Sequence, residues 1–256
     1  AVAGDDEHEA VSAVAANVVG PVTVTVSGGS AANVFGCNNV YGAPQQTVAV
    51  NIGGGAISNV YGGGNQALYT GTPAVAITGG TVSGNVFGGG LGITAVTYGS
   101  AVTISGGTVE HDVYGGGSLA NVEGSAEINL TGGTVNSVYG GGLGQKSGFY
   151  DADSDIEAIV RGDVLVTLNK NVSNDATGCV VTNIYGCNNL CGTPKGSVTV
   201  HIYKTQNAGA QRISNPTEGE RTAKVMGRYD VTSVYGGGNL ATYNPYTDTE
   251  NDPRLD

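Results

Sequence analysis

The densest run of groups able to bind a metal ion lies in the sequence DADSDIE. It places carboxylates at alternate positions, Asp151, Asp153, Asp155 and Glu157. Alternate carboxylates can converge on Ca²⁺, which prefers hard oxygen ligands. A calcium loop of the EF-hand type would need Gly at its sixth position and Glu at its twelfth, where the chain has Ile156 and Gly162. We therefore favour a solvated acidic loop without a cofactor, and a Ca²⁺ site is the alternative.

A second candidate is the sequence Glu110-His111-Asp112, which offers acid and base side chains within one strand. In an extended strand Glu110 and Asp112 point to one face and His111 to the other. Enzymes that process polysaccharides need clustered carboxylates with a basic residue on one face. The neighbouring repeats offer only Asn85 and Ser137 at similar places, and residues 1–145 contain no Lys or Arg. The pattern therefore predicts an ordinary polar strand and no enzyme.

Four cysteines are too few for a disulfide-stabilised scaffold in a chain of 256 residues. Zinc sites favour tighter Cys pairs matched by a second pair or by His, and this spacing is absent. Cys37 and Cys187 occupy the middle position of a corner that is Gly-Gly-Gly in other repeats, so a small packed residue explains both. A disulfide among Cys179, Cys187 and Cys191 stays open, because an exported chain would permit one.

One aromatic residue recurs at the same place in each repeat and forms the best candidate for ligand binding. The spacings along the chain are 26, 26, 27, 25, 46 and 50 residues. Residues at matching positions of stacked repeats should form a ladder of rings. If the ladder faces solvent, it can stack on sugar rings; if it faces inward, it belongs to the core, which is the interpretation we favour. The column consists of Phe35, Tyr61, Phe87, Tyr114, Tyr139, Tyr185 and Tyr235.

These residues belong to a repeated unit that contains an alternating aliphatic run, a Gly pair and an aliphatic–aromatic–Gly sequence. Val22, Val24 and Val26 alternate with Thr in the first run, a pattern typical of a half-buried β-strand. The Gly pairs begin at intervals of 25, 26, 27 and 26 residues. Strands at this period, without helices between them, predict an all-β parallel β-helix, or β-solenoid, with coils of about 26 residues that stack about 4.8 Å apart. A β-sandwich and a propeller are the alternatives, although a propeller blade needs about 40 residues.

We expect three parts in the chain. Residues 1–19 form an N-terminal cap, in which residues 5–19 are a short amphipathic helix, and residues 241–256 form a polar tail. The solenoid covers residues 20–240, with insertions at about 143–163 and 203–228 that carry most of the basic residues. Loops on a rigid scaffold often carry function, so the insertions are the expected place for a specific site.

Two segments 150 residues apart share one sequence pattern. FGCNNVYGAPQQTVAVNI, residues 35–52, matches YGCNNLCGTPKGSVTVHI, residues 185–202, at a constant offset. We expect the two copies to have the same local structure.

Composition and charge exclude several functional classes. The formal net charge is −11, and the first 145 residues contain only acidic charges. Such a surface repels phosphates, so nucleic acid and anionic membranes are poor partners. The sequence contains no run of about 20 apolar residues, the length that a helix needs to span a membrane.

The units TVSGNVFGGG, TVEHDVYGGG, TVNSVYGGG and SVYGGGN resemble the repeats of large cell-surface proteins of Bacteroidetes-type bacteria. That family is adhesin-like and is expected to fold as right-handed parallel β-helices. The resemblance implies an extracellular location on the bacterial cell surface and a role in adhesion or spacing. The resemblance implies no catalytic role for any residue of this chain.

The function predicted from the sequence is that of a non-enzymatic, adhesin-like surface protein, either a stalk or a ligand-binding solenoid. Its partners would be host or bacterial surface glycans or matrix proteins. The alternatives are a carbohydrate-binding module that uses the aromatic column and a polysaccharide-processing β-helix enzyme.

Overall fold

The computed structural model describes residues 15–148, 153–173, 178–203 and 230–241. Within these ranges the protein is all-β, and it contains eleven strands and no helix. The strands are β1 (Val22–Phe35), β2 (Val48–Tyr61), β3 (Ala74–Ile77), β4 (Thr81–Val82), β5 (Val86–Phe87), β6 (Ser100–Tyr114), β7 (Ala126–Tyr139), β8 (Val164–Leu168), β9 (Val180–Tyr185), β10 (Val198–Ile202) and β11 (Val231–Tyr235). No helix in these ranges is long and apolar enough to cross a membrane.

The named strands pair in parallel, each with the strand one repeat further along the chain. Val22 of β1 lies opposite Val48 of β2, and Phe35 lies opposite Tyr61, an offset of 26 residues in both cases. β6 and β7 pair in the same way from Ser100↔Ala126 to Tyr114↔Tyr139. Sandwiches and propellers are built from antiparallel neighbours, so the described pairings do not fit either alternative.

Four strands, β2, β3, β6 and β4, form a small closed circuit of parallel pairings. The circuit exists because β3, β4 and β5 lie one after another between the long strands β2 and β6. Ile52, Ile57 and Tyr61 of β2 pair with β3, β4 and β5 respectively, and β6 pairs with the same three strands on the other side. The three short strands therefore occupy the place of one long strand.

The repeats after β7 contain extra residues at two places. The offset between β7 and the next repeat is 38 residues at Ala126 and Val164, and 46 at Tyr139 and Tyr185. From the sequence, we expected all of this extra length to lie in the insertion at about residues 143–163. The register instead places eight of the extra residues between Leu168 and Val180, where Asn169 adopts a left-handed φ of 58°. The predicted insertion at 203–228 lies outside the described residues, apart from residue 203.

The main core is a set of aliphatic columns that run from repeat to repeat. One column contains Ile52, Ile77, Ile104, Leu130 and Leu168, none of which exposes measurable surface. Full burial of one such side chain contributes roughly 1.5–3 kcal/mol. The structure confirms the buried face that the alternation predicts. Thr103 and Asn129, which directly precede the buried Ile104 and Leu130, are only half-buried.

The glycines at the corner between the two halves of a strand are required by the backbone. In five successive repeats the last glycine of the pair or triplet has φ between 75° and 89°. L-residues with a Cβ rarely adopt this left-handed conformation. These residues are Gly29, Gly55, Gly80, Gly107 and Gly133.

The expected helix over residues 5–19 is wrong for the part that the structure describes. Residues 15–19 are not helical; Val18 forms a parallel bridge with Pro44, and its N–H donates to the carbonyl of Ala43. This segment follows the next repeat as an extended chain, because pairing with the stack satisfies its backbone groups. Residues 1–14 and 242–256, which include most of the expected cap and tail, lie outside the described residues.

Candidate functional site

The recurring aromatic residues form one continuous stack. Neighbouring ring centroids are 4.7–5.0 Å apart, and the planes differ by 3–11°. The ladder predicted from the sequence is therefore confirmed for all seven residues, from Phe35 to Tyr235. Each ring lies on its neighbour because the parallel register places equivalent residues opposite one another.

The ladder lies apart from the main aliphatic core. Tyr61, Phe87, Tyr114 and Tyr139 form a second buried cluster, against which Leu91 and Leu143 pack. Towards one end the rings become accessible, and Tyr235 is 46% exposed. Inside the stack both faces of each ring touch another ring. A sugar that stacks on an aromatic side chain needs a free ring face, so the inner rings do not offer this mode of binding.

A polar column runs beside the ladder, two residues before each aromatic residue. Its members are linked from repeat to repeat: the Asn59 Nδ2 donates to Asn33 Oδ1 over 3.2 Å, and the backbone N–H of Asn85 donates to Asn59 Oδ1 over 3.0 Å. Asp112 is the one ionisable residue of this column. The column consists of Asn33, Asn59, Asn85, Asp112, Ser137, Asn183 and Ser233.

Asp112 is held by hydrogen bonds on both carboxylate oxygens. The Tyr114 hydroxyl donates to Oδ2 over 3.2 Å, and Asn136 Nδ2 donates to Oδ1 over 3.2 Å. The backbone N–H of Asp112 donates to Asn85 Oδ1 over 3.1 Å. Burial nevertheless raises the pKa of the Asp112 carboxyl, because desolvation of the charged form outweighs these hydrogen bonds.

Tyr114 links Asp112 to a segment 75 residues further along the chain. Asn189 Nδ2 donates to the Tyr114 hydroxyl over 2.8 Å, and Asn239 Nδ2 donates to Asn189 Oδ1 over 3.1 Å. Burial, and next the negative charge of Asp112, raise the pKa of Tyr114. The hydroxyl therefore keeps its proton at neutral pH and donates a hydrogen bond to Asp112. The amides and Tyr114 thus orient the carboxylate through one chain of hydrogen bonds.

These groups open into a cavity of about 330 Å³ beside the ladder. Strand β6 contributes one wall, the segment after β7 a second, and the segment after β9 a third. Apolar leucines, amides, hydroxyls, one carboxylate and one ammonium group meet there. The described lining residues are Asn85, His111, Asp112, Tyr114, Ser118, Leu119, Leu143, Gly144, Gln145, Lys146, Asn189 and Leu190.

No family model, curated protein or solved structure matches this chain.

One expectation is wrong, namely that Glu110 and Asp112 share a face of the strand and that His111 points to the other face. The register between β6 and β7 is irregular between Val109 and Asp112, so the strict alternation of an extended strand does not hold there. His111 and Asp112 both line the cavity, and Glu110 is exposed outside it. The basic residue that the first half of the chain lacks is supplied by Lys146, because the segment after β7 folds back over β6.

Lys146 is itself paired within its own loop. Its ammonium group donates to Asp155 Oδ2, and the N–H of Ser147 donates to Asp155 Oδ1 over 2.7 Å. Gln145 and Ile156 exchange two backbone hydrogen bonds that hold the two sides of the loop together. The ion pair lowers the pKa of Asp155 and raises that of Lys146. Lys146 therefore reaches the cavity with its charge already balanced.

The alternating carboxylates at Asp153, Asp155 and Glu157 do not converge in the structure. No group of three or more potential metal-binding side chains (His, Cys, Asp or Glu) occurs in the described part of the chain. Asp155 is engaged by Lys146 and Ser147, and Asp151 lies outside the described residues. The Ca²⁺ alternative thus finds no support here, although Asp151 is untested.

All four cysteines are free thiols. Burial raises the pKa of Cys37 and of Cys179 to about 12 in each case, and that of Cys187 to about 11. Cys37 Sγ and Cys187 Sγ each approach a glycine carbonyl of the next repeat at 3.6 Å. Both therefore occupy the packed corner position that the sequence predicted.

Sequence reasoning missed Asn136 as a donor to Asp112, Asn189 as a donor to Tyr114, and Lys146 as a residue that lines the same cavity. The recurrence of Asn before the aromatic residue was visible in the sequence and would have singled out Asp112. The contact between Asn189 and the Tyr114 hydroxyl was not visible in the sequence. It depends on how many residues the segment after β7 contains and on where that segment turns.

Proposed function

We propose that this chain is a segment of a parallel β-helix whose coils are the repeats described above. The observation that supports this is the pairing of successive repeats in parallel at a nearly constant offset, with one aromatic ring per repeat in a continuous stack. The closed circuit of β2, β3, β6 and β4 fits the same architecture, since its short strands fill one coil between two long ones.

On this scaffold we propose a non-enzymatic, adhesin-like function at the bacterial cell surface. A stack in which each coil is hydrogen-bonded to the next is a stiff element suited to spacing or to presenting a binding site. The resemblance of its repeats to bacterial surface adhesins supports the extracellular location. The partner would be a host or bacterial glycan or a matrix protein.

Binding is better supported than cleavage at the cavity beside the ladder. Glycoside hydrolysis usually needs two carboxyl groups roughly 5–9 Å apart across the bond that breaks. Asp112 is the single carboxylate among the described residues that line the cavity. Tyr114 and Asn136 hold both of its oxygens, which suits a fixed hydrogen-bonding group more than a proton donor.

The alternative of a carbohydrate-binding module that uses the faces of the aromatic column is less well supported. Only a terminal ring such as Tyr235, which is 46% exposed, has surface available for a sugar ring. The inner rings can contribute to binding only at their edges, through hydroxyl groups such as that of Tyr114, which lines the cavity. We therefore place binding at the cavity and not on the ring faces.

The surface location is tested by labelling cells that produce the protein with an antibody against residues 22–139. Intact cells should label as strongly as permeabilised cells. Labelling that needs permeabilisation would contradict the proposal. Adhesion is tested separately with beads coated with the purified chain, which should be retained on immobilised glycans or matrix proteins and released by excess soluble chain.

A further inference from the structure

The cavity beside the ladder combines fixed polar groups with an apolar wall, as sugar-binding sites do. Asp112 accepts and Asn189 donates within one hydrogen-bonded network, and Ser118 adds a hydroxyl that is almost fully buried. Leu119 and Leu190 lie on the same cavity. Because these side chains hold one another in place by hydrogen bonds, binding needs little further ordering of them.

We propose that this cavity binds one neutral sugar ring of a glycan, with its hydroxyl groups on Asp112, Tyr114 and Asn189 and its apolar face on the leucines. This inference rests on the proposed adhesin-like function and names its ligand and site. A cavity of about 330 Å³ lies at the lower end of the range of roughly 300–1,000 Å³ typical of small-molecule sites. A single sugar ring is therefore the expected occupant.

The charges around the cavity favour a neutral sugar over an acidic one. Asp112 carries a negative charge inside it, and Asp155 already pairs with Lys146. The chain as a whole has a net charge of −11, which disfavours the approach of a polyanion. A uronic acid or a sialic acid would place its carboxylate in this negative environment.

Tyr114→Phe removes the hydroxyl and keeps the ring. Phe occurs naturally in the ladder at positions 35 and 87, so the stack accepts this change. The probes are immobilised galactose, glucose, mannose and N-acetylglucosamine, with glucuronic acid and sialic acid as acidic counterparts. For the neutral sugar that binds, we expect Tyr114→Phe to weaken affinity about tenfold, the value of one lost hydrogen bond of about 1.4 kcal/mol. Tyr61→Phe, the same change two repeats away, should leave affinity unchanged.

Asp112→Asn is the second variant, because Asn is the residue that four other repeats carry at this place in the column. It keeps the size of the side chain and removes the charge, and we expect a loss of affinity of about tenfold or more, as for hydrogen bonds to charged groups. Glu110→Gln, which removes a carboxylate outside the cavity, is the matched control and should bind like the unchanged chain.

The outcomes separate this inference from the proposed function. Binding of a neutral sugar that both cavity variants weaken, and neither control does, supports the site. Binding that Tyr114→Phe and Asp112→Asn leave unchanged would overturn it, as would a preference for acidic sugars or no binding to any probe at millimolar concentration. Labelling of intact cells, or adhesion of coated beads to another ligand, would leave the proposed surface function standing in each of those cases. If Asp112→Asn fails to fold, Tyr114→Phe alone decides.

Discussion

The segments 35–52 and 185–202 have matching sequences and form equivalent turns, and yet they lie in different surroundings. In the first, Asn38 Nδ2 donates to the carbonyls of Tyr41 and Ala16. In the second, Asn188 Nδ2 donates to the carbonyls of Cys191 and Ala158. The prediction that the two copies form the same local structure is confirmed by these equivalent bonds and by Gly42 and Gly192, which both have positive φ.

The difference between the two copies is burial. Asn188 is fully buried and Leu190 is 9% exposed, whereas Asn38 is half-buried and Val40 is 43% exposed. The second copy is covered by the loop after β7, while the first lies against residues 15–18. Local sequence therefore determines the turn, and the neighbouring segment determines how deeply it lies.

Each copy also borders a cavity, and the two cavities differ in chemistry. The first copy lines a cavity of about 470 Å³ with Val40, Tyr41, Gly42 and Ala43, and its described lining holds no charged residue. The second copy places Asn189 and Leu190 on the cavity that contains Asp112, His111 and Lys146. The same turn thus borders a cavity with charged side chains only where the segment after β7 folds over it.

The largest expected effect concerns Cys37 and Cys187, the equivalent thiols of the two copies. Burial raises the pKa of these groups to about 12 and about 11, and the thiolate is the reactive form. At pH 8 we expect iodoacetamide to label both at least about 100-fold more slowly than in the unfolded chain, by comparison of thiolate fractions. Because both pKa values lie above this pH, the rate should rise about tenfold for each pH unit until the fold is lost. Mass spectrometry of digested samples measures both sites.

All four cysteines should label once the chain is denatured without reductant. A fast native reaction at Cys187, or a pair of cysteines that labels only after reduction, would contradict the burial and the free thiols described above.

The next effect compares Asn188→Ala with Asn38→Ala. The first change leaves two carbonyls without their donor in a buried place, and we expect it to lower the free energy of unfolding by about 2 kcal/mol. The second change exposes the equivalent carbonyls to water, and a loss of about 0.5 kcal/mol is expected. Urea unfolding followed by circular dichroism measures both. Equal losses would show that the two copies are buried alike.

The smallest effect concerns the one charge in the polar column. The raised pKa of Asp112 means that the folded chain holds its proton more tightly than the unfolded chain. Stability attributable to this group is therefore present at low pH and is lost as the pH rises from the unfolded pKa through the folded pKa. Asp112→Asn should stabilise the fold at pH 7 by on the order of 0.5 kcal/mol, and the gain should vanish below the unfolded pKa of the carboxyl. A constant gain at all pH values would point to a cause other than charge.

Much of the fold could be predicted from the sequence because its aliphatic, glycine and aromatic residues recur at a regular spacing. Val and Ile at alternate positions identified the strands and their buried face, and the spacing of Tyr61, Phe87 and Tyr114 matched the later register. The pattern did not show that residues 169–179 also carry extra length, because that segment does not repeat elsewhere in the chain.

The site was less predictable, for physical reasons. The irregular register after Val109 changes the direction of Asp112, and a strict two-residue alternation does not anticipate it. Lys146 reaches the cavity, and Asn189 reaches the Tyr114 hydroxyl, only through the stacking of different repeats and the return of a non-repeating loop. Such contacts depend on three-dimensional packing that neither residue type nor spacing specifies.

The central claim is that parallel stacking brings distant segments together to build the cavity, and the contact between Tyr114 and Asn189 tests it most directly. A double-mutant cycle combines Tyr114→Phe with Asn189→Ala and measures the free energy of unfolding of all four proteins. We predict a coupling energy of about 1 kcal/mol, the usual value of a hydrogen bond, and none for the control cycle that pairs Tyr61→Phe with Asn189→Ala. Strict additivity at Tyr114 and Asn189 would contradict the account.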